Sequence, residues 1–454
     1  MLTFVGLLAV AEFALLATAQ LTGPVGPSSS TSTRKATKTC NILDYGGQAS
    51  KTFDNAQAIT SAWAACASGG ELLIPEGDFG LSTWISVKNA KNMNFNLEGT
   101  IHRTGTAGGN MIFMRNVQNF EFYSANSKGA IQGYGYEFHK DNTYGPRILR
   151  FYQSSNFSIH DITLVDAPQF HLSLDTVTNA EVYNMVIRGG SRGGLDGIDV
   201  WGDNIWIHDV EVSNKDECVT VKNPSHNFLI EQIHCNLSGG CGMGSIGSNT
   251  DISNILYRNV YTHHSNQMYM IKSNGGNGSV SNVVFDNFVG HSNAYTLDLD
   301  SAWTQVAAAS GDGIAYTNIS ATGWHGTCSD GTQRGPVKMF CPEKVPCQDI
   351  TIKDFNVWTE DGDSKVYHVC KNAYGSGSCL DGTDATTSFT STKTITGLAS
   401  TAYTYASMDN ELSTSIGLTV SIAIPTLPAS YFPGMLPISP YNSASGTSDL
   451  FGEL

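Results

Sequence analysis

The sequence predicts an all-β fold, a right-handed parallel β-helix, and three observations carry that prediction. A short motif opening on Asn recurs at Asn119, Asn156, Asn179, Asn204, Asn227, Asn254 and Asn282, with weaker copies near Gly313 and Asp349. From Asn156 the starts differ by 23, 25, 23, 27 and 28 residues. Each copy is a strand-like run such as Asn204-Ile205-Trp206-Ile207-His208-Asp209-Val210, rich in β-branched and aromatic residues. Finally, 454 residues with 47 Gly against 14 Pro suit a long repeat with many tight turns. A period in the mid-twenties is too short for a propeller blade, and the Leu positions of a leucine-rich repeat are absent. Parallel crossovers are nearly always right-handed, which sets the hand. The recurring Asn falls at a turn, where its amide can bond the copy stacked on it.

In order along the chain, Leu2 to Ala19 is almost wholly apolar and ends in the small-x-small triplet Ala17-Thr18-Ala19. Residues 1–19 are therefore expected to be a signal peptide, with Gln20 as the mature N-terminus. Residues 20–39, rich in Ser, Thr, Gly and Pro, are expected to be an extended lead-in. Ala56 to Cys66 places Ile59, Trp63 and Cys66 on one side of a short helix, suited to capping the core that follows. The solenoid is assigned to residues 40–383. The tail, 384–454, is expected to pack on the last coils or to extend from them, and it carries no catalytic signal. No second long apolar run occurs, so no membrane span is expected.

The net charge of −15 argues against nucleic acid and anionic membranes as partners. It makes an anionic polymer an awkward substrate at neutral pH, less so in acid. Ten cysteines in a secreted chain suggest disulfides. Local spacing favours Cys40–Cys66, Cys218–Cys235, Cys341–Cys347 and Cys370–Cys379, leaving Cys241 and Cys328 over. Asn156, Asn236, Asn277 and Asn318 head glycosylation sequons. No Cys or His pattern has zinc spacing, so neither a metal nor a cofactor is expected.

Seven carboxylates fall between Asp196 and Glu217, although charged residues make up only 14% of the chain. Asp196 stands 20 residues before Asp216 and 21 before Glu217, roughly one coil. In a β-helix, equivalent positions stack about 4.8 Å apart, so the three carboxylates should share one face. Gly239-Gly240-Cys241-Gly242 and Met270-Ile271-Lys272 follow on the next coils. Isolated Asp-Gly pairs are usually turns, but a solvated face has no need of three crowded carboxylates, because like charges raise each other's pKa and destabilise. A long groove with such a row suits a polymer.

Those segments, in that order, resemble the pectin-degrading polygalacturonase family of glycoside hydrolases, glycoside hydrolase family 28. Its Asn-Thr-Asp, Asp-Asp, Gly-His-Gly and Arg-Ile-Lys segments are matched by Gly194-Leu195-Asp196, Asp216-Glu217, Gly240-Cys241-Gly242 and Met270-Ile271-Lys272. The variants Gly-Leu-Asp-Gly-Ile-Asp, Lys-Asp-Glu-Cys and Met-Tyr-Met-Ile-Lys-Ser look like those of rhamnogalacturonan hydrolases. The resemblance implies a secreted, monomeric enzyme that cuts the galacturonate–rhamnose bond of rhamnogalacturonan I with inversion. It makes Asp216 the general acid and Asp196 and Glu217 the pair that activates water, at carboxyl separations near ~6.5–9.5 Å. Lys272 grips substrate, Asp199 supports the cluster, and Met270 replaces the family arginine beside the leaving sugar. Cys241 replaces the family histidine, so His291 is the candidate imidazole, with His263 and His264 weaker ones. Polygalacturonase and xylogalacturonan hydrolase are the near alternatives. A lyase, for which Arg188, Arg192 and Lys215 are the nearby bases, and a binding-only adhesin are the distant ones.

Overall fold

The computed structural model describes residues 21–329, 335–360, 365–382, 388–396 and 407–441, so the expected signal peptide lies outside the described residues. The chain winds as a right-handed parallel β-solenoid of about eleven turns. Its longest strands, Leu172–Arg188, Ile198–Ser213, Val219–Asn236, Thr250–His263, Gly278–Asn293 and Ala315–Cys328, pair in sequence order. The register stacks Ala180, Ile205, Phe228, Ile255, Val283 and Ile319, all buried, into one inward row. Apolar side chains removed from water in such rows give the solenoid its core.

The predicted asparagines sit where each strand bends. Asn156, Asn179, Asn204, Asn254 and Asn282 have φ of 51°, 51°, 57°, 58° and 57°, a left-handed conformation that Asn tolerates better than most residues. Each amide donates to the one below: Asn179 to Asn156 at 2.8 Å, Asn204 to Asn179 at 2.8 Å, and Asn282 to Asn254 at 3.1 Å. The ladder slips where Asn227 donates to Asp203 rather than Asn204. There Asn204 bonds the N-terminal segment instead, accepting the Thr22 N–H at 2.9 Å. The helix Ala56–Cys66 forms as expected, with Ile59, Trp63 and Cys66 buried against the first coils.

Three sequence expectations about the chain ends need correction. The lead-in is not a free extended segment: Leu21 and Val25 pack with Trp206, Leu229 and Leu256, and Arg34 is buried in an ion pair with Glu121 at 2.5 Å. The sheet does not end at residue 383, because Thr390–Thr396 pairs antiparallel with Lys365–Lys371. Of the tail, Thr390–Thr396 thus packs on the last coils, whereas the stretch 407–441 does not. That stretch runs back over the middle ones: the Leu412 N–H donates to Asn236, the Tyr431 hydroxyl to Asn184, and the Ile438 N–H to Asp209. Polar backbone needs partners when buried, and the side-chain rows of the middle coils supply them.

The four expected disulfides are present, at Cys40–Cys66, Cys218–Cys235, Cys341–Cys347 and Cys370–Cys379. One sequon expectation fails: Asn236 is fully buried, its Nδ2 bonded to His263 and its Oδ1 to the tail, leaving no room for a glycan. Asn277 and Asn318 are exposed, and Asn156 is half-buried in the ladder. Among the described residues no helix is long and apolar enough to cross a membrane.

Candidate active site

Backbone hydrogen bonds set the row that holds the candidate carboxylates. Gly197 N–H donates to Glu217 O at 2.8 Å, and Cys218 N–H to Gly240 O at 2.9 Å, which puts Asp196, Glu217 and Gly240 side by side. The same register runs toward the N-terminus through Phe170 to Arg147. Three residues further along the strands, Asp199, Thr220, Gly242, Met270 and Asp298 form a second outward row. Gly242 keeps this floor low, since a Cβ there would meet Met270 O at 3.3 Å and Glu217 Cγ at 3.7 Å.

The loops holding the carboxylates are fixed from below. Asn214 donates to Leu195 O at 2.7 Å and to Glu217 O at 3.2 Å, tying the two acidic loops together. Asp216 accepts the Glu217 N–H at 3.0 Å and the Gly194 N–H, while its carbonyl accepts from Gly239 at 2.6 Å. His171 lies under Asp196, its Nε2 accepting the Ala167 N–H and its Nδ1 3.1 Å from Asp196 O. These partners select the Nδ1–H tautomer, and burial lowers the pKa to about 4, so the ring stays neutral.

One oxygen from each of Asp196, Asp216 and Glu217 lies within 4.8 Å of the others. The nearest-oxygen distance lies below the ~6.5–9.5 Å expected between an acid and a base that face each other across the bond, because adjacent coils, rather than opposite walls, supply the groups; room for an attacking water is then among the three carboxylates. Oxygens at that separation can all reach a single water at about 2.8 Å. Asp196 and Glu217 are each 5% exposed, whereas Asp216 stands at the half-exposed rim. Burial first, then the Asp199 and Asp216 carboxylates, raise the Asp196 pKa well above the carboxylate range, against the pull of Lys222. The cluster thus keeps a proton that an isolated carboxyl would lose.

Two lysines balance the charge. Lys272, expected to grip substrate, ion-pairs here with Glu217. Lys222, which the sequence reading missed, sits 3.0 Å from Asp199 and 3.7 Å from Asp196, and donates to Gly244 O at 2.8 Å. Burial pulls its pKa down, but Asp199 and Asp196 more than offset this. The signal was available: inward Val219 and Val221 force Thr220 and Lys222 outward. The carboxylate triad is compact enough for a cation, but these ammonium groups already supply positive charge.

Other candidates lie elsewhere. Met270 stands in the outward row yet is only 3% exposed, so it forms floor rather than open surface. Cys241 points inward, its thiol 3.7 Å from Cys235 and its pKa pushed up by burial to about 12. His291 stacks on His263 at 5.4 Å and bonds Ser292 Oγ at 2.8 Å. On that coil Tyr295 bonds to Asn266, the row adjoining Ser238 and Asp216, so the imidazole is set back along the chain from the acid. Arg188 pairs with Glu211 at 2.9 Å, which commits one of the three lyase-type bases.

The chain that carries these three clustered carboxylates matches a known family over residues 67–409, the glycosyl hydrolases family 28. The chain belongs to that family. It is therefore a glycoside hydrolase. It is 54% identical over 443 residues to rhamnogalacturonase A of Aspergillus niger, covering 97% of this chain and 99% of that one. Rhamnogalacturonase A of Emericella nidulans is 55% identical over 435 residues, 96% of this chain and 85% of that one. Among solved structures, the endo-xylogalacturonan hydrolase of Aspergillus tubingensis aligns with a TM-score of 0.65 at 23% identity, over 76% of this chain and 100% of that one. That likeness bears on the fold of this family 28 hydrolase alone.

Proposed function

We propose that this family 28 hydrolase is a secreted, monomeric, endo-acting rhamnogalacturonan hydrolase, cutting the α-1,2 bond between galacturonate and rhamnose with inversion. The observation that carries the reading is the gathered triad, two buried carboxylates and one at the rim. An acid must reach the glycosidic oxygen, and Asp216 is the member exposed enough to do so. Asp196 and Glu217, beneath it, hold and deprotonate the attacking water. The proton that the cluster keeps on Asp196 passes to Asp216 and on to the leaving oxygen, which leaves Asp196 ionised to take a proton from the water. Lys272 and Lys222 stabilise the ionised pair. Sequence identity to rhamnogalacturonases supports the substrate class.

Met270 supports the choice of bond. An arginine at that covered position would bury a charge lacking its carboxylate beside rhamnose, whereas a thioether tolerates an apolar neighbour. Asn156, Asn277 and Asn318 remain glycan acceptors in this reading, and residues 1–19 a cleaved leader.

The test compares kcat/KM on unbranched rhamnogalacturonan and on polygalacturonate, with proton NMR of the first product. The expected preference for rhamnogalacturonan is about 10²-fold, the worth of one charged hydrogen-bond partner, and the first product is the β-anomer. Equal rates on both polymers would remove the substrate assignment. An initial α-anomer would replace water activation with a covalent intermediate.

A further inference from the structure

Four cations along the groove face are committed to the protein's own carboxylates, whereas Arg192 lies over Tyr144 and, like Lys215, makes no ion pair among the described residues. Lys222 holds Asp199, Lys272 holds Glu217, Lys338 holds Asp300 at 2.5 Å, and Arg150 holds Asp175. Arg147 differs from those four. Among the described residues its guanidinium makes no ion pair, and its carbon lies 4.8 Å over the ring of Phe170. Burial and Arg150 pull its pKa down, while Asp199, Asp196 and Asp175 act on it through space in the opposite sense. An arginine steadied on an aromatic face, with its planar fork of donors uncommitted, is suited to a carboxylate taken in bidentate fashion.

Its place in the register says which carboxylate. Arg147, Phe170 and Asp196 occupy successive coils of one row, since Ile148 N–H donates to Phe170 O and His171 N–H to Asp196 O. Arg147 is thus two coils, about 9–10 Å, from the carboxylate triad. Between them stands a half-exposed apolar ring. Cation, ring and carboxylate cluster follow one another at single-coil steps. A polymer alternating a uronate with a 6-deoxy sugar presents its groups in the same order, with carboxylates one disaccharide apart.

We propose that Arg147 and Phe170 form a uronate subsite on the N-terminal-coil side of the cleavage point. Arg147 takes the carboxylate of the galacturonate one repeat away from the cleaved residue, and the intervening rhamnose lies along Phe170. The proposal rests on the reading of the triad as a rhamnogalacturonan-cleaving centre. It accounts for anion recognition in a groove whose family arginine position carries Met270.

The experiment measures binding by calorimetry, using Asp216→Asn protein as the parent so that ligand survives. The ligands are rhamnogalacturonan oligosaccharides long enough to span both sides, the same oligosaccharides with carboxylates reduced to alcohols, and homogalacturonan oligosaccharides. Adding Arg147→Gln is expected to weaken rhamnogalacturonan binding by about 10–100-fold, and to leave binding of the reduced oligosaccharides within a few-fold of the parent. Arg147→Lys, which keeps the charge and the fold, should recover part of the loss. An equal loss on reduced oligosaccharides, or none on native ones, overturns the subsite while leaving the substrate assignment standing. A parent that binds homogalacturonan more tightly than rhamnogalacturonan, with the Arg147→Gln loss intact, overturns the substrate assignment and keeps Arg147 as a general uronate grip.

Discussion

Two rows of like side chains run along this solenoid, the asparagine ladder and the carboxylate row, and the same coil spacing governs both. An amide can donate to the copy below and accept from the copy above, so stacking satisfies it, as in Asn204 on Asn179 on Asn156. A carboxylate can only accept when ionised, so stacking Asp196 beside Asp216 and Glu217 stores repulsion that Lys222, Lys272 and a retained proton relieve. The ladder contributes stability at no functional gain. The carboxylate row costs stability, and in the proposed mechanism it carries the chemistry. If that contrast is correct, damage to one row should appear in stability and damage to the other in turnover.

The largest expected effect is on turnover. Asp216→Asn keeps the shape of the rim group and removes its proton chemistry, so kcat should fall by ~10²–10⁴-fold. The melting temperature should hold or rise, because a like charge leaves the cluster. Steady-state kinetics with calorimetry on one preparation tests both halves. Near-normal turnover would take Asp216 out of the mechanism.

The ladder should show the converse. Asn179 donates to Asn156 and accepts from Asn204, so Asn179→Ala leaves both neighbours short of a partner and imposes the left-handed φ of 51° on a residue that resists it. A loss of about 1–3 kcal/mol is expected by denaturant titration, with kcat/KM on rhamnogalacturonan unchanged in the protein that remains folded. A turnover defect as large as that of Asp216→Asn would abolish the division between the rows.

The ladder was legible in the sequence and much of the carboxylate row's surroundings was not, for a physical reason. Asn179 and Asn204 recur at the period itself, so repetition announces them. Asp196, Asp216 and Glu217 could be stacked by counting one coil. Lys222 recurs nowhere, and only the inward pointing of Val219 and Val221 places it beside Asp199. His171 and Arg147 depend on backbone register between coils whose loops differ in length, which no count of residues fixes. His291 came from the resemblance of its segment alone, and its place relative to Asp216 depends on the same inter-coil register. The course of residues 407–441 was not legible because its anchors, such as the Tyr431 hydroxyl on Asn184 and Phe432 against Tyr261, are scattered contacts without sequence pattern.

The smallest effect expected is also the sharpest on the cost of crowding. Asp196 has an ordinary value of 3.8 and a native value raised well above it by burial, Asp199 and Asp216. Between those values the native state binds more protons than the unfolded chain, so stability falls as pH rises through that window. Below the ordinary value both states are protonated and the penalty is absent. An amide at position 196 does not titrate and escapes the penalty altogether. The melting temperature of Asp196→Asn relative to wild type should therefore increase with pH from acid toward neutrality and level off once the native carboxyl has ionised. A difference that stays constant across that range would mean that Asp196 is ionised throughout, with Lys222 and Lys272 neutralising the row by themselves. The contrast with the ladder would then rest on catalysis alone, without a stored electrostatic cost.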